Sequence, residues 1–104
     1  MQSYSLPTNS YIDLTLPSAN ECITVPADGW LTFAFQTIPG GDIESSAGLI
    51  NTTHKIGIRS NSKLYAAQVF LPVLKNDIVE ISYHYMYQLI RFRFIYSVGS
   101  APQS

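Results

Sequence analysis

The sequence predicts an all-β domain, an antiparallel β-sandwich or jelly roll of seven or eight short strands. Three observations carry this: apolar and polar residues alternate through most of the chain, polar turn clusters interrupt the alternation, and no stretch combines helical spacing with caps. The pattern is clearest from Val69 to Tyr96. Val79, Ile81, Tyr83 and Tyr85 point one way, and Glu80, Ser82 and His84 the other. Ile90, Phe92, Phe94 and Tyr96 then share a face opposite Arg91 and Arg93. A period of two marks strands with one covered face, because successive side chains project to opposite sides of a sheet. Many short strands with polar turns suit a two-layer sandwich, with an open barrel as the alternative.

Taken in order, residues 1–10 are polar and without period, and read as a flexible lead-in or stalk remnant. Residues 11–98 form a single sandwich domain, and 99–104 a small, polar, frayed tail. Tyr11 to Leu16 alternates and is closed by Pro17; Cys22 to Val25 is a short second strand. Pro26-Ala27-Asp28-Gly29 is a turn, with proline where φ near −65° is wanted and glycine where φ can be positive. Trp30 to Gln36 is apolar on both faces and is expected to be covered on both sides. A loop through Pro39-Gly40-Gly41 follows, then short strands at Gly48–Asn51 and Lys55–Arg59, the second with Ile56 and Ile58 inward. Ser60 to Lys63 reads as a turn, and Leu64 to Leu71 as a strand that Pro72 ends. Lys75-Asn76-Asp77 is a tight reversal, and His84 to Gln88 a junction that can bend.

The chain has 104 residues, room for one domain. Charged residues make up only 12%, about half the usual share. Seven tyrosines accompany this scarcity, and a homo-oligomer interface, poor in charge and rich in aromatics, is the simplest cover for such a surface. Net charge is −1 and the cations are scattered, so no nucleic-acid footprint is expected. Cys22 stands alone and is expected to be a small buried side chain. No apolar run approaches the ~20 residues of a membrane span, and no basic-then-apolar signal opens the chain. Membrane insertion is not expected.

Three segments carry a resemblance. Val25-Pro26-Ala27-Asp28-Gly29-Trp30 is followed by Val69-Phe70-Leu71-Pro72-Val73-Leu74-Lys75-Asn76-Asp77-Ile78-Val79, and Arg91-Phe92-Arg93-Phe94-Ile95-Tyr96 closes the domain. The layout resembles the C-terminal head domains of tailed-bacteriophage tail fibres, where a PADGW turn, a PVKKGD turn and an RFIY last strand frame a trimeric β-sandwich. It is similar, more loosely, to the C1q and tumour-necrosis-factor type of trimeric jelly roll. Leu74 and Asn76 stand where that pattern has Lys and Gly, and asparagine tolerates the positive φ such a turn needs. The resemblance implies a homotrimer at the fibre tip of a virion, made in the host cytoplasm. Its partner would be a bacterial surface receptor, either glycan or outer-membrane protein.

The residues point to binding rather than catalysis. Asp28 and Asp77 lie in turns, Asp42 and Glu44 share a loop too soft to hold two carboxylates at fixed separation, and Glu80 is on a polar strand face. His54 and His84 have no ligand-spaced companions, so neither metal nor cofactor is expected. Flat aromatic faces beside hydrogen-bonding groups suit sugar rings, which makes Tyr87, His84 and Gln88 receptor-binding candidates. Asn61 and Lys63 join them because binding residues concentrate on loops of rigid scaffolds. Tyr83 and Tyr85 continue an inward face and are assigned to core or trimer interface, with Arg91 and Arg93 pairing acids across a subunit boundary. Two other readings remain open: a structural module that registers or caps a fibre, and a carbohydrate-binding module of a larger hydrolase.

Overall fold

A computed structural model describes residues 7–97, with side chains from residue 10 onward. The first six residues of the expected lead-in and the whole expected tail fall outside the described residues. The domain is a jelly roll of eight antiparallel strands: β1 (Pro7–Asp13), β2 (Glu21–Thr24), β3 (Gly29–Thr37), β4 (Ser45–Asn51), β5 (Ile56–Ser62), β6 (Ala66–Val73), β7 (Ile78–His84) and β8 (Met86–Ser97). They form two four-stranded sheets, ordered β1-β8-β3-β6 and β2-β7-β4-β5. That interleaving is the jelly-roll arrangement.

The alternation does what a period of two requires. Leu31, Phe33 and Phe35 on β3, Phe92 and Phe94 on β8, and Val69, Leu71 and Val73 on β6 are buried from the first sheet. Leu49, Val79 and Ile81 meet them from the second. Phe33 is the hub, touching Phe35, Phe92 and Tyr83 at ring-centroid distances of 5.5–5.8 Å. Burial of each such side chain contributes roughly 1.5–3 kcal/mol. As expected, β3 is covered on both sides. Thr32 lies between Phe70 and Arg93, and Ala34 between Gln68 and Arg91, so long neighbours shade both.

Several expectations are corrected. The first strand begins at Pro7 rather than Tyr11. Residues Ser60 to Ser62 extend β5, and the turn falls at 63–65 instead. Pro72 lies inside β6, which is allowed because β6 is an edge strand with one side unpaired. Ile56 and Ile58 pair with the inward residues Asn51 and Leu49, yet both are exposed, because β5 is the other sheet's edge and overhangs the core. Cys22 is exposed: inward Ile23 on the same strand, and buried Val25 just after it, put it on the outer face. Gly29 does not adopt positive φ. It is glycine because a Cβ there would run into the Ile95 carbonyl and the Phe94 ring.

The alternation of β8 breaks twice. Ala34 and Phe35 pair with Arg91 and Leu89, and Gln36 and Thr37 with Gln88 and Met86, so Ile90 and Tyr87 are each an extra residue. A bulge re-aims side chains and lets a strand bend. Ile90, expected inward, is instead 46% exposed.

Candidate functional site

The connections divide between two ends of the sandwich. One end carries β2–β3, β4–β5 and β6–β7; the other carries β1–β2, β3–β4, β5–β6 and β7–β8. The two are built differently.

At the first end Asp77 is the centre. Its buried carboxylate accepts from the Asn51 side-chain amide at 2.7 Å and the Leu74 amide at 2.8 Å, and its other oxygen lies 3.0 Å from His54 Nε2. Asn51 Oδ1 accepts in turn from the His54 backbone. Asp28 accepts from the Lys75 amide at 2.7 Å, and Val25 exchanges backbone bonds with Asp77 and Asn76. Asn76 takes the expected positive φ, 72°. Asp28 and Asp77 thus satisfy turn amides, as their positions suggested.

The opposite end displays aromatic rings. Tyr65, in the β5–β6 turn, has φ of 69° and is 88% exposed; Tyr85, the link from β7 to β8, has φ of 60° and is 60% exposed. The left-handed region costs a side-chain-bearing residue roughly 1–2 kcal/mol, and a bulky residue there is an outlier. Buried hydroxyls hold both backbones. Thr37 donates its amide and its Oγ1 to the Tyr65 carbonyl, and Ser45 Oγ donates to the Tyr85 carbonyl at 2.8 Å. The rings are therefore fixed at the root and presented to solvent. Tyr87, turned outward by its bulge, is 58% exposed.

Beside these rings lies an open cavity of about 280 Å³, lined by Ile38, Gly40, Lys63, Leu64, Tyr65 and Tyr87 among others. Its walls are mutually fitted, since a Cβ on Gly41 would come within 2.9 Å of Leu64 Cδ2. The structure thus brings the receptor candidates Tyr87 and Lys63 together. His84 and Asn61 lie apart from these, flanking Ser46 from β7 and β5 on the outer face of the second sheet, and Ser46 Oγ lies 3.3 Å from His84 Nδ1. Gln88 is exposed and pairs with Gln36 on β3. Tyr65 is the residue the sequence reading missed. Nothing in Lys63-Leu64-Tyr65-Ala66 signals a positive φ, which glycine or asparagine would announce.

The interface candidates also separate. Tyr83 is half-buried against Phe33, and its hydroxyl donates to the Pro17 carbonyl at 3.0 Å. Tyr85 does not continue the inward face, because the chain reverses there. Arg91 and Arg93 lie on the outer face of the first sheet. Arg93 pairs with Asp13 of its own chain at 2.8 Å, with its guanidinium 3.9 Å from the centre of the Tyr11 ring. The hydrogen bond to Asp13 raises the Arg93 pKa further, so its charge persists at any ordinary pH. The same face carries Trp30 stacked on Phe70 at 4.9 Å, with Ile95 beside Trp30 and Tyr11 beside Ile95.

Among the described residues no three His, Cys, Asp or Glu side chains stand close enough to share a metal ion. No known family model, curated protein or solved structure matches the chain.

Proposed function

We propose that this chain is a non-enzymatic receptor-binding tip domain of a bacteriophage tail fibre, acting as a homotrimer on a bacterial surface glycan or outer-membrane protein. The observation that supports it best is the pair of exposed tyrosines, Tyr65 and Tyr85, held in left-handed backbone by buried hydroxyls. Folding alone is better served there by asparagine or glycine. An aromatic ring kept at a strained, rigid, solvent-facing position fits a role in contact with a partner, where pre-organisation lowers the entropy lost on binding. Tyr87, Lys63 and the cavity beside them supply the rest of the contact surface. Three linked copies would raise the effective concentration of each remaining site once one has engaged.

The trimer draws its support from the outer face of the first sheet, where Tyr11, Ile95, Trp30, Phe70 and Pro72 form an apolar patch. That patch equally favours the second reading, a module that only registers and caps a fibre. Binding separates the two. Fluorescent chain should label cells in a panel of bacterial strains, and Tyr65→Ala with Tyr87→Ala should abolish the labelling without changing the oligomeric mass. Labelling that survives both changes, or no labelled strain at all, would leave the capping role. Light scattering should give three times the formula mass of 11.6 kDa. A monomer at every concentration would overturn the trimer.

A further inference from the structure

The outer face of the second sheet holds a shallow groove, away from the tip and independent of the reading given to it. Buried Val79 and Ile81 put Glu80, Ser82 and His84 on this face of β7. Their partners on β4 are Ile50, Gly48 and Ser46, and the next residues across, on β5, are Gly57, Arg59 and Asn61. Two of these neighbouring positions are glycine. The sheet therefore lacks side chains at Gly48 and Gly57, leaving a depression of about 190 Å³ walled by Ile50, Ile58, Arg59 and Ser82. Gly48 is confined by the hydroxyl above it: a Cβ would come within 2.5 Å of Ser82 Oγ.

The polar groups around this floor have unspent capacity. Arg59 has no carboxylate within ion-pair distance among the described residues, whereas Arg93, on the other sheet, does. The Ser82 hydroxyl makes no hydrogen bond among the described residues and stands directly over the floor. One row towards the tip, His84 and Asn61 add hydrogen-bonding groups; one row the other way, Glu80 adds an acceptor beside exposed Ile50.

We infer that this groove is a binding site for a sugar acid, a pyranose ring bearing a carboxylate. The carboxylate meets Arg59, whose planar guanidinium matches it in a bidentate fork. The ring lies on the flat glycine floor with its C–H face towards Ile50. Its hydroxyls meet Ser82, across the floor from Arg59, and Glu80 or His84 one row away along β7. The polar rim favours a sugar over an acidic peptide, because it offers partners to hydroxyls spread around a ring rather than to a single charged group.

The test is an amide-resonance titration of the full chain with methyl glucuronide, methyl glucoside and N-acetyl-aspartate amide. The inference predicts saturable shifts centred on Gly48, Gly57, Arg59 and Ser82 with the glucuronide, and much weaker ones with the other two. Arg59→Gln should weaken the glucuronide at least tenfold, and added salt should weaken it in the native chain. Gly57→Ala, whose Cβ would lie 3.3 Å from Ile50 Cγ1, should weaken it by raising the floor. Absence of saturable shifts at these residues would overturn the inference. So would equal binding of glucoside, equal binding of the aspartate derivative, or an Arg59→Gln chain that binds as before. Shifts confined to Tyr65 and Tyr87 would assign sugar binding to the tip and also overturn it.

Discussion

Where β6 turns into β7, Asp77 gathers Asn51, His54 and the Leu74 amide around one buried carboxylate; where β7 turns into β8, Ser45 holds a single carbonyl and lets the tyrosine ring swing clear. Both ends use buried polar groups to fix a tight turn. At the first, side chains and backbone are spent on one another, and little is left to meet anything else. At the second, hydroxyls hold the turn backbones, and the rings of Tyr65, Tyr85 and Tyr87 remain exposed. A buried hydroxyl bonded to a carbonyl is thus a way to make a loop rigid without covering what it displays. The contrast separates turns that close the fold from turns that present a surface.

The largest expected effect lies at the closed end. Asp77→Ala leaves the fully buried Asn51 amide and the Leu74 N–H without their acceptor, and should destabilise the domain by roughly 3–5 kcal/mol, read from its urea midpoint. A loss below about 1 kcal/mol would mean that the two ends are held equally loosely. Tyr83→Phe is the matching change at the display end. It removes one part-buried bond to Pro17 and should cost about 1 kcal/mol, leaving any cell labelling intact. The smallest effect belongs to neither end. Arg93→Gln breaks an exposed pair on the sheet face and should leave the melting temperature within error. Because the Asp13 bond raises the Arg93 pKa, any stability it gives is present below that pKa and lost only at extreme alkalinity. A melting temperature that depended on this pair between pH 6 and about 9 would contradict that placement.

The closed end was the more legible in the sequence. Pro26-Ala27-Asp28-Gly29 and Lys75-Asn76-Asp77 use residue types whose backbone preferences mark turns, and both turns are there. The sandwich itself followed from alternation in β3, β7 and most of β8. The display end was obscured for physical reasons. A tyrosine at positive φ carries no local signature, so Tyr65 reads as part of a strand and Tyr85 as part of an inward face. The bulges at Ile90 and Tyr87 are visible only once β8 is paired with β3, because they are properties of the register rather than of one strand. Ile56 and Ile58 follow the inward period, but their exposure depends on β5 lying at an edge, which is a fact of topology. His84 and Asn61 are distant in the sequence, and only the pairing through Ser46 sets them in one row.

The most direct test exchanges the two displayed rings for a residue that tolerates the same backbone: Tyr65→Asn and Tyr85→Asn, singly and together, followed by thermal melts and cell labelling. If the tyrosines are retained for contact rather than for folding, each change should stabilise the domain by about 1 kcal/mol, through relief of left-handed strain, while labelling falls away. A drop in melting temperature with labelling unchanged would contradict the account, since the rings would then be holding the fold together.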